Sequence, residues 1–197
     1  MKVVVDWDGT VTEVDGLNEV ICTFGDERVY EETEGDLGRG LSLNEVIAIE
    51  VATVTAPLQT VVAWVRDNVR VRPGFAEFAR VHRPLVVSSG FHELIEPVLA
   101  REGVELEVRA NRLDPRLDGW TARFRNEHAC PVCGEACKRA DVAGLDGFVY
   151  AGDGFSDRCV ALAASRVFAR DGLARYLDVC GAAFEPFEDF HDLARAL

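Results

Sequence analysis

Basic side chains are scarce in this chain: 21 Lys and Arg stand against 34 Asp and Glu, a formal net charge of −13. General nucleic-acid binding and anionic-membrane binding rely on basic patches, so this charge argues against both as partners. Glycine (17) and proline (7) show no excess among 197 residues, and no internal repeat or low-complexity tract is present, which removes the disordered and collagen-like classes. A long uninterrupted apolar run is also missing. The nearest to one, Val46 to Val65, carries Glu50, Pro57, Gln59 and several threonines, which a lone bilayer span tolerates poorly. It reads instead as two buried helices broken near Pro57. The beginning of the chain lacks the apolar h-region of a secretory signal, since Asp6 follows only three apolar residues, and a cytoplasmic location is expected.

What is present is an ordinary globular composition, 48% apolar and 28% charged, in a length that suits one domain or one domain with an insertion. Short β-branched runs followed by helical patterns recur at residues 2–5, 84–87, 104–108, 148–151 and 166–169. This alternation predicts right-handed βαβ crossovers and an α/β fold, a Rossmann-like three-layer α/β/α core around a parallel sheet. Far more chain lies between the first two runs than one crossover helix needs, and it reads mostly as helix. A helical domain inserted over residues 14–72 is expected, with the core built from 1–13 and 73–197 and Pro73-Gly74 marking the return. Turn signals at Asp114-Pro115 and Asp118-Gly119 predict a β-hairpin beside the sheet between Leu113 and Asn126. A monomer and a homodimer are equally compatible with the sequence.

In an open parallel sheet, ligands bind beyond the carboxyl ends of the strands. Asp6-Trp7-Asp8-Gly9-Thr10 follows the first run, Ser88-Ser89-Gly90 follows the second, Lys138 precedes the fourth, and Gly152-Asp153-Gly154-Phe155-Ser156-Asp157 follows it. Phosphoryl transfer to a carboxylate needs such a set. Asp6 can attack phosphorus, which splits one hard displacement into two easier ones, and Asp8 can protonate the leaving oxygen and then activate water. Carboxylates at Asp6 and Asp153, with Asp157 near, offer an all-oxygen site for Mg²⁺. Thr10, Ser88, Ser89, Gly90 and the Lys138 ammonium are the phosphate-binding candidates.

These four motifs, in this order and strand context, resemble those of the haloacid dehalogenase (HAD) superfamily phosphatases, and they span nearly the whole chain. The resemblance implies a nucleophile at Asp6, an acid/base at Asp8 and phosphate contacts from Ser88 and Lys138. It further implies Mg²⁺ held by Asp6, the Asp8 backbone carbonyl and Asp153, with Asp157 supporting. The second aspartate of DWDGT separates phosphatases from dehalogenases, and the helical insertion is similar to the C1 cap of the phosphoserine phosphatase-like branch. Ser88 to Phe91 (SSGF) resembles the SGGF of phosphoserine phosphatases, and Asp15 matches their acidic cap-turn residue. Val46, however, stands where those enzymes carry a carboxylate-gripping arginine. The segment HACPVCGEACK (His128 to Lys138), with YAGDGFSD and VFARDGLARYL, is more similar to the methionine-salvage hydroxy-keto-methylthiopentenyl phosphate phosphatases. It also resembles phosphoethanolamine/phosphocholine phosphatases. A small phosphorylated metabolite is therefore the expected partner, with Asp15, Phe91 and His92 as candidate specificity residues.

His128, Cys130, Cys133 and Cys137 have the ligand types and local spacing of a small structural Zn²⁺ site, although the same cysteines can pack a loop or pair reversibly. Arg39, Arg66, Arg70 and Arg72 can line the helical domain, while charge on helices is more often a solvated face. Two other functions remain open: a phosphotransferase or mutase on the same scaffold, and a non-catalytic, zinc-stabilised binding protein. Loss of Asp6 or Asp8 would favour the latter, and both are present.

Overall fold

A computed structural model describes the whole chain, Met1–Leu197. The β-branched run at the start forms β1 (Lys2–Val5), and four helices follow it: α1 (Gly16–Phe24), α2 (Glu27–Asp36), α3 (Leu43–Val51) and α4 (Leu58–Asn68). Next come α5 (Phe75–His82), β2 (Leu85–Phe91), α6 (His92–Arg101), β3 (Val108–Asp114) and β4 (Thr121–Arg123). A 3₁₀ turn (Lys138–Val142) leads into β5 (Phe148–Gly152), and a second (Phe155–Asp157) into α7 (Arg158–Ala161). The chain closes with β6 (Arg166–Ala169), α8 (Asp171–Cys180), β7 (Glu185–Pro186) and α9 (Phe190–Ala196).

The seven strands form one sheet in the order β4-β3-β2-β1-β5-β6-β7, parallel except where β4 runs antiparallel to β3. Alternation along β1 divides the core. Val3 and Val5 face a cluster holding Trp7, Val86, Phe75 and Phe190. Val4 faces the opposite cluster with Leu85, Val87, Phe148, Tyr150 and α8 residues Leu173 and Leu177. Burial on both faces explains why the central strands are continuous apolar runs. This is the α/β/α architecture expected from the sequence.

Two strand boundaries differ from expectation. The third strand starts at Val108, not Val104, because Val104 lies in the turn that closes α6. Gly103 turns there with φ +64, and the N–H groups of Gly103 and Val104 bond to the carbonyls of Ala100 and Leu99. That is a Schellman ending, in which the apolar residue after the glycine packs back on the helix. The second strand runs on to Phe91, with an irregular register against β3 between Val87 and Phe91, so Ser88 to Gly90 sit on a bulged strand end. The expected hairpin is present as the antiparallel β3–β4 pair, Leu113 opposite Ala122.

The helical segment starts and finishes at one place. Thr12 bridges Val71 and the Arg72 N–H bonds to the Val11 carbonyl at 2.8 Å, directly beyond β1. Asp15 caps α1 through the Asn18 N–H, and Ser42 and Glu45 form a capping box on α3. Each satisfies amides that the first helical turn leaves unpaired. α3 and α4 lie on either side of Pro57 as expected, but each buries one face only: α4 buries Val61 and Val65 and leaves Gln59, Thr60, Arg66, Asp67 and Asn68 exposed. Val20, Ile47, Val51, Val61 and Val65 join the same apolar cluster as one sheet face. No helix is long and apolar enough to cross a membrane.

Candidate active site

Asp6 is the first residue past β1 and is buried, its N–H bonded to the Ala151 carbonyl of β5 at 2.9 Å. Its Oδ1 accepts from the Trp7 N–H at 2.6 Å and lies 2.5 Å from Lys138 Nζ. Trp7 turns away from the carboxylates into the core, edge-on to Phe75. Lys138 is only 1% exposed and also donates to Asp157 Oδ1 at 2.7 Å. Burial disfavours the ammonium, but the charges of Asp157 and Asp6 outweigh it and hold the lysine pKa above its ordinary value. Asp157 in turn accepts from Tyr150 Oη at 2.6 Å and from the N–H groups of Asp153 and Gly154 at 2.8 and 2.9 Å. Burial pushes its pKa up, yet Lys138, the Gly154 N–H and Tyr150 together hold it below the usual carboxylate value. Both Asp157 oxygens are therefore occupied by protein donors. It anchors Lys138 and the β5 loop.

Asp8 stands on the turn that Gly9 makes possible with φ +73. Its Oδ1 accepts from the Gly16 N–H at 3.0 Å, and Ser88 Oγ lies 3.5 Å from Oδ2. Burial, followed by the charge of Asp15, pushes Asp8 up to about 8. A carboxyl group that is protonated near neutrality is suited to act as an acid and, after giving up its proton, as a base. Gly90 approaches so closely that a Cβ there would come within 2.8 Å of Asp8 Oδ2. Its N–H bonds to Ser88 Oγ at 2.8 Å, so Gly90 orients the serine. Ser89 lines the cleft, and its carbonyl is held by Asn111 Nδ2 at 2.7 Å. Neither serine caps α6, whose N-cap is Phe91.

Asp153 follows β5 and faces Asp6 across the sheet end. Burial and the Asp157 charge push it up to about 7, and burial with the same neighbour raises Asp6 well above the ordinary range. Thr10, fully buried, donates to Asp153 Oδ1 at 2.7 Å. Oxygens of Asp6, Asp153 and Asp157 all lie within 4.8 Å of one another, with Lys138 the ammonium that pairs with this group. Clustered carboxylates with more negative charge than their partner cancels, and hard oxygen donors throughout, fit a divalent cation such as Mg²⁺.

Above these residues lies a cavity of about 160 Å³ between the strand ends and the helical segment. Its floor includes Asp6, Asp8, Ser88 and Asp153. Asp15, Asn18, Glu34 and Glu50 supply polar wall, and Leu17, Leu37, Leu43, Val46, Ile47 and Phe155 supply apolar wall. No lysine, arginine or histidine lines it.

The family model for haloacid dehalogenase-like hydrolases matches residues 3–162, which hold all four motifs. The chain belongs to that family. Among curated HAD relatives, 2-hydroxy-3-keto-5-methylthiopentenyl-1-phosphate phosphatases from Geobacillus kaustophilus and an Exiguobacterium species are 30% and 28% identical. Each comparison covers 98% of this chain, and 93% and 94% of the relative. Among solved structures, a phospho-aspartyl intermediate analogue of phosphoserine phosphatase superposes with a TM-score of 0.74 at 18% identity, covering 99% of this chain and 97% of that one. A substrate-bound phosphoserine phosphatase gives 0.73 at 16%, covering 100% and 99%. The fold is that of these HAD phosphatases, and the protein is a phosphatase of the family.

Several HAD-motif neighbours lie elsewhere than the sequence suggests. Phe91 is fully buried in the core beneath the site, because its strand position points it inward. His92 leaves the cleft to pair with Glu96 one helical turn on, at 2.8 Å. His128 is exposed and outside the cysteine cluster, whose fourth member is Cys159 on α7. Arg72 does not reach the cleft. Its guanidinium donates to the carbonyls of Thr10, Gly9 and Thr12 at 3.0, 2.9 and 3.1 Å and so braces the Asp8 turn. Tyr150 is a site residue whose one signal in the sequence is a phenol inside an apolar strand, two residues before Gly152, where a buried hydroxyl requires a partner.

Proposed function

We propose that this enzyme is a cytoplasmic, Mg²⁺-dependent phosphomonoesterase that works through an aspartyl-phosphate on Asp6, with residues 14–72 acting as its cap. Asp6 attacks phosphorus while the bond to the ester oxygen breaks, and Asp8 gives its proton to that oxygen. Asp8, now a carboxylate, takes a proton from the water that hydrolyses the aspartyl-phosphate, which frees phosphate and restores both residues. Lys138 and Ser88 hold the phosphoryl oxygens. Asp6, Asp153 and the Asp8 carbonyl would hold Mg²⁺, which supplies positive charge to offset the carboxylates and phosphate. The helices α1–α4 roof the cleft and exclude bulk water, so that one positioned water meets the intermediate.

For the substrate we favour a methionine-salvage-type enol phosphate with an uncharged thioether tail. The observation that carries this choice is the cleft wall: Leu17, Leu37, Leu43, Val46 and Ile47 with no cationic side chain among the lining residues. A carboxylate-bearing ester such as phosphoserine would find no cationic partner among the lining residues and would face Asp15, Glu34 and Glu50. Those same three acids favour a second reading, a phosphocholine- or phosphoethanolamine-type ester with a cationic head. Phosphate release by wild type and Asp6→Asn with Mg²⁺ across the enol phosphate, phosphocholine, phosphoethanolamine and phosphoserine separates them. Highest kcat/KM on the enol phosphate, lost in the variant and with chelator, supports the first reading; preference for a cationic ester supports the second. Turnover retained by Asp6→Asn would sink the nucleophile assignment.

A further inference from the structure

We propose that Cys130, Cys133, Cys137 and Cys159 form a tetrathiolate zinc site, separate from the carboxylate cluster, that fastens the loop carrying Lys138 to the helix following Asp157. The four sulfurs converge from two segments, the loop holding Cys130, Cys133 and Cys137 and the helix α7 holding Cys159, and all lie within 4.8 Å of one another. The Sγ atoms of Cys130 and Cys159 are 4.0 Å apart. Four thiolates each about 2.3 Å from a tetrahedral zinc sit about 3.8 Å from one another. Disulfide sulfurs would be about 2 Å apart and would gather in pairs rather than as a foursome. All six cysteines of the chain are free thiols.

Local backbone geometry supports the assignment. Cys130-Pro131-Val132-Cys133-Gly134 folds as a tight knuckle in which the Gly134 N–H bonds to the Cys130 carbonyl at 2.8 Å, and the Cys130 N–H to the Glu135 carbonyl at 2.8 Å. Gly134 takes φ +79, a conformation that favours glycine over residues with a Cβ. The Val132 N–H points at Cys130 Sγ, 3.5 Å away. Amides aimed at sulfur stabilise a thiolate, the form that binds metal.

The surrounding loop has little else to hold it. No residue from 127 to 137 is buried, and Val132, in the middle of the knuckle, is 63% exposed. Lys138, the very next residue, is 1% exposed and placed between two carboxylates. A loop without an apolar core does not by itself fix a lysine so closely; a metal cross-link replaces the missing core. Cys137 immediately precedes Lys138, and Cys159 lies two residues after Asp157, so the ion would join the two sides of the Lys138–Asp157 pair. Arg139 reinforces the same junction by donating to the Cys159 carbonyl at 3.2 Å. The sulfur site stands without the phosphatase reading, while its effect on catalysis rests on it.

The test is metal content. Wild type purified reduced from zinc-containing medium and dialysed should hold one zinc per chain by elemental analysis, released when a mercurial titrates the thiols. Protein reconstituted with cobalt(II) should show thiolate-to-metal charge transfer and the intense visible bands of tetrahedral coordination. Cys159→Ser should lose most of the zinc and alter the cobalt spectrum, whereas His128→Ala should retain both. Zinc removal should speed hydrogen exchange across residues 127–138. Reduced, folded wild type that takes up neither zinc nor cobalt overturns the proposal whatever its phosphatase activity, and so does zinc lost from His128→Ala but kept by Cys159→Ser.

Discussion

Thr10 Oγ1 donates to Asp153 Oδ1 at 2.7 Å, joining the loop after β1 to the loop after β5 across the carboxyl end of the sheet. The hydroxyl thus fixes the orientation of a carboxylate proposed to hold Mg²⁺. Partners that orient metal ligands typically contribute about 10–100-fold in metal affinity or activity. Thr10→Val keeps the shape and removes the donor, and its apparent Mg²⁺ constant, from phosphate release titrated with the metal, should rise by about that factor. An unchanged Mg²⁺ curve would mean that Asp153 is oriented without Thr10.

Lys138 and Asp157 make a buried ion pair whose separation should reveal itself in stability. Removing one member of such a pair strands the other charge and typically costs about 3–5 kcal/mol. Lys138→Met leaves both Asp6 and Asp157 without their ammonium, so urea unfolding in chelator should show a loss of about that size. Adding Asp157→Asn should recover part of the stability while phosphatase activity stays absent, because the phosphate-holding cation is still missing. If the double variant is no more stable than Lys138→Met alone, the pair is not the source of the cost.

Much of this pairing was legible beforehand. Asp6, Asp8, Ser88 and Asp153 stand out because each sits at or just beyond the carboxyl end of an apolar strand, and strand ends converge in a parallel sheet whatever the details of packing. Lys138, ten residues before β5, is marked only by its place ahead of the GDGFSD motif. Phe91 and His92 were misplaced for a related reason: β2 continues past Ser88 through an irregular register, which alters where each following side chain points. Cys159 was not recognised as a partner of the cysteine loop because it lies on α7, and only the crossover through β5 brings it near. Arg72 reads as a lining residue of the helical domain because sequence carries no sign that five backbone carbonyls await its guanidinium.

Glu50 should make stability depend on pH. It is 2% exposed, its Oε1 accepts from Thr33 Oγ1 at 2.8 Å, and burial pushes its pKa from 4.5 up to about 7, with Glu34 and Asp15 adding to the rise. The unfolded chain loses this proton first. From pH 4.5 to about 7 the native state therefore binds more protons, and the contribution of Glu50 to stability falls as pH rises through that window. Glu50→Gln, which keeps an acceptor for Thr33, should match wild type near pH 5 and exceed it near pH 8 by roughly 1–3 kcal/mol. Equal advantages at both pH values in urea melts would show that Glu50 does not titrate as described.

Val46 is 1% exposed and belongs to the apolar wall of the cleft, with Asp15, Glu34 and Glu50 on the polar side. If that wall receives a thioether tail, transfer of a few CH₂-sized groups from water contributes about 2 kcal/mol, near 0.8 kcal/mol for each. Val46→Arg removes part of that surface and brings a guanidinium to a cleft that has no other cation among its lining residues. Its kcat/KM on the enol phosphate should fall by at least about tenfold, which corresponds to about 1.4 kcal/mol. Phosphoserine, whose carboxylate gains a partner, should improve relative to it. The ratio of the two values is the quantity to follow, since a general loss of folding lowers both alike. A ratio that does not move would separate substrate choice from this wall and shift attention to Asp15 and Asn18 at the start of α1.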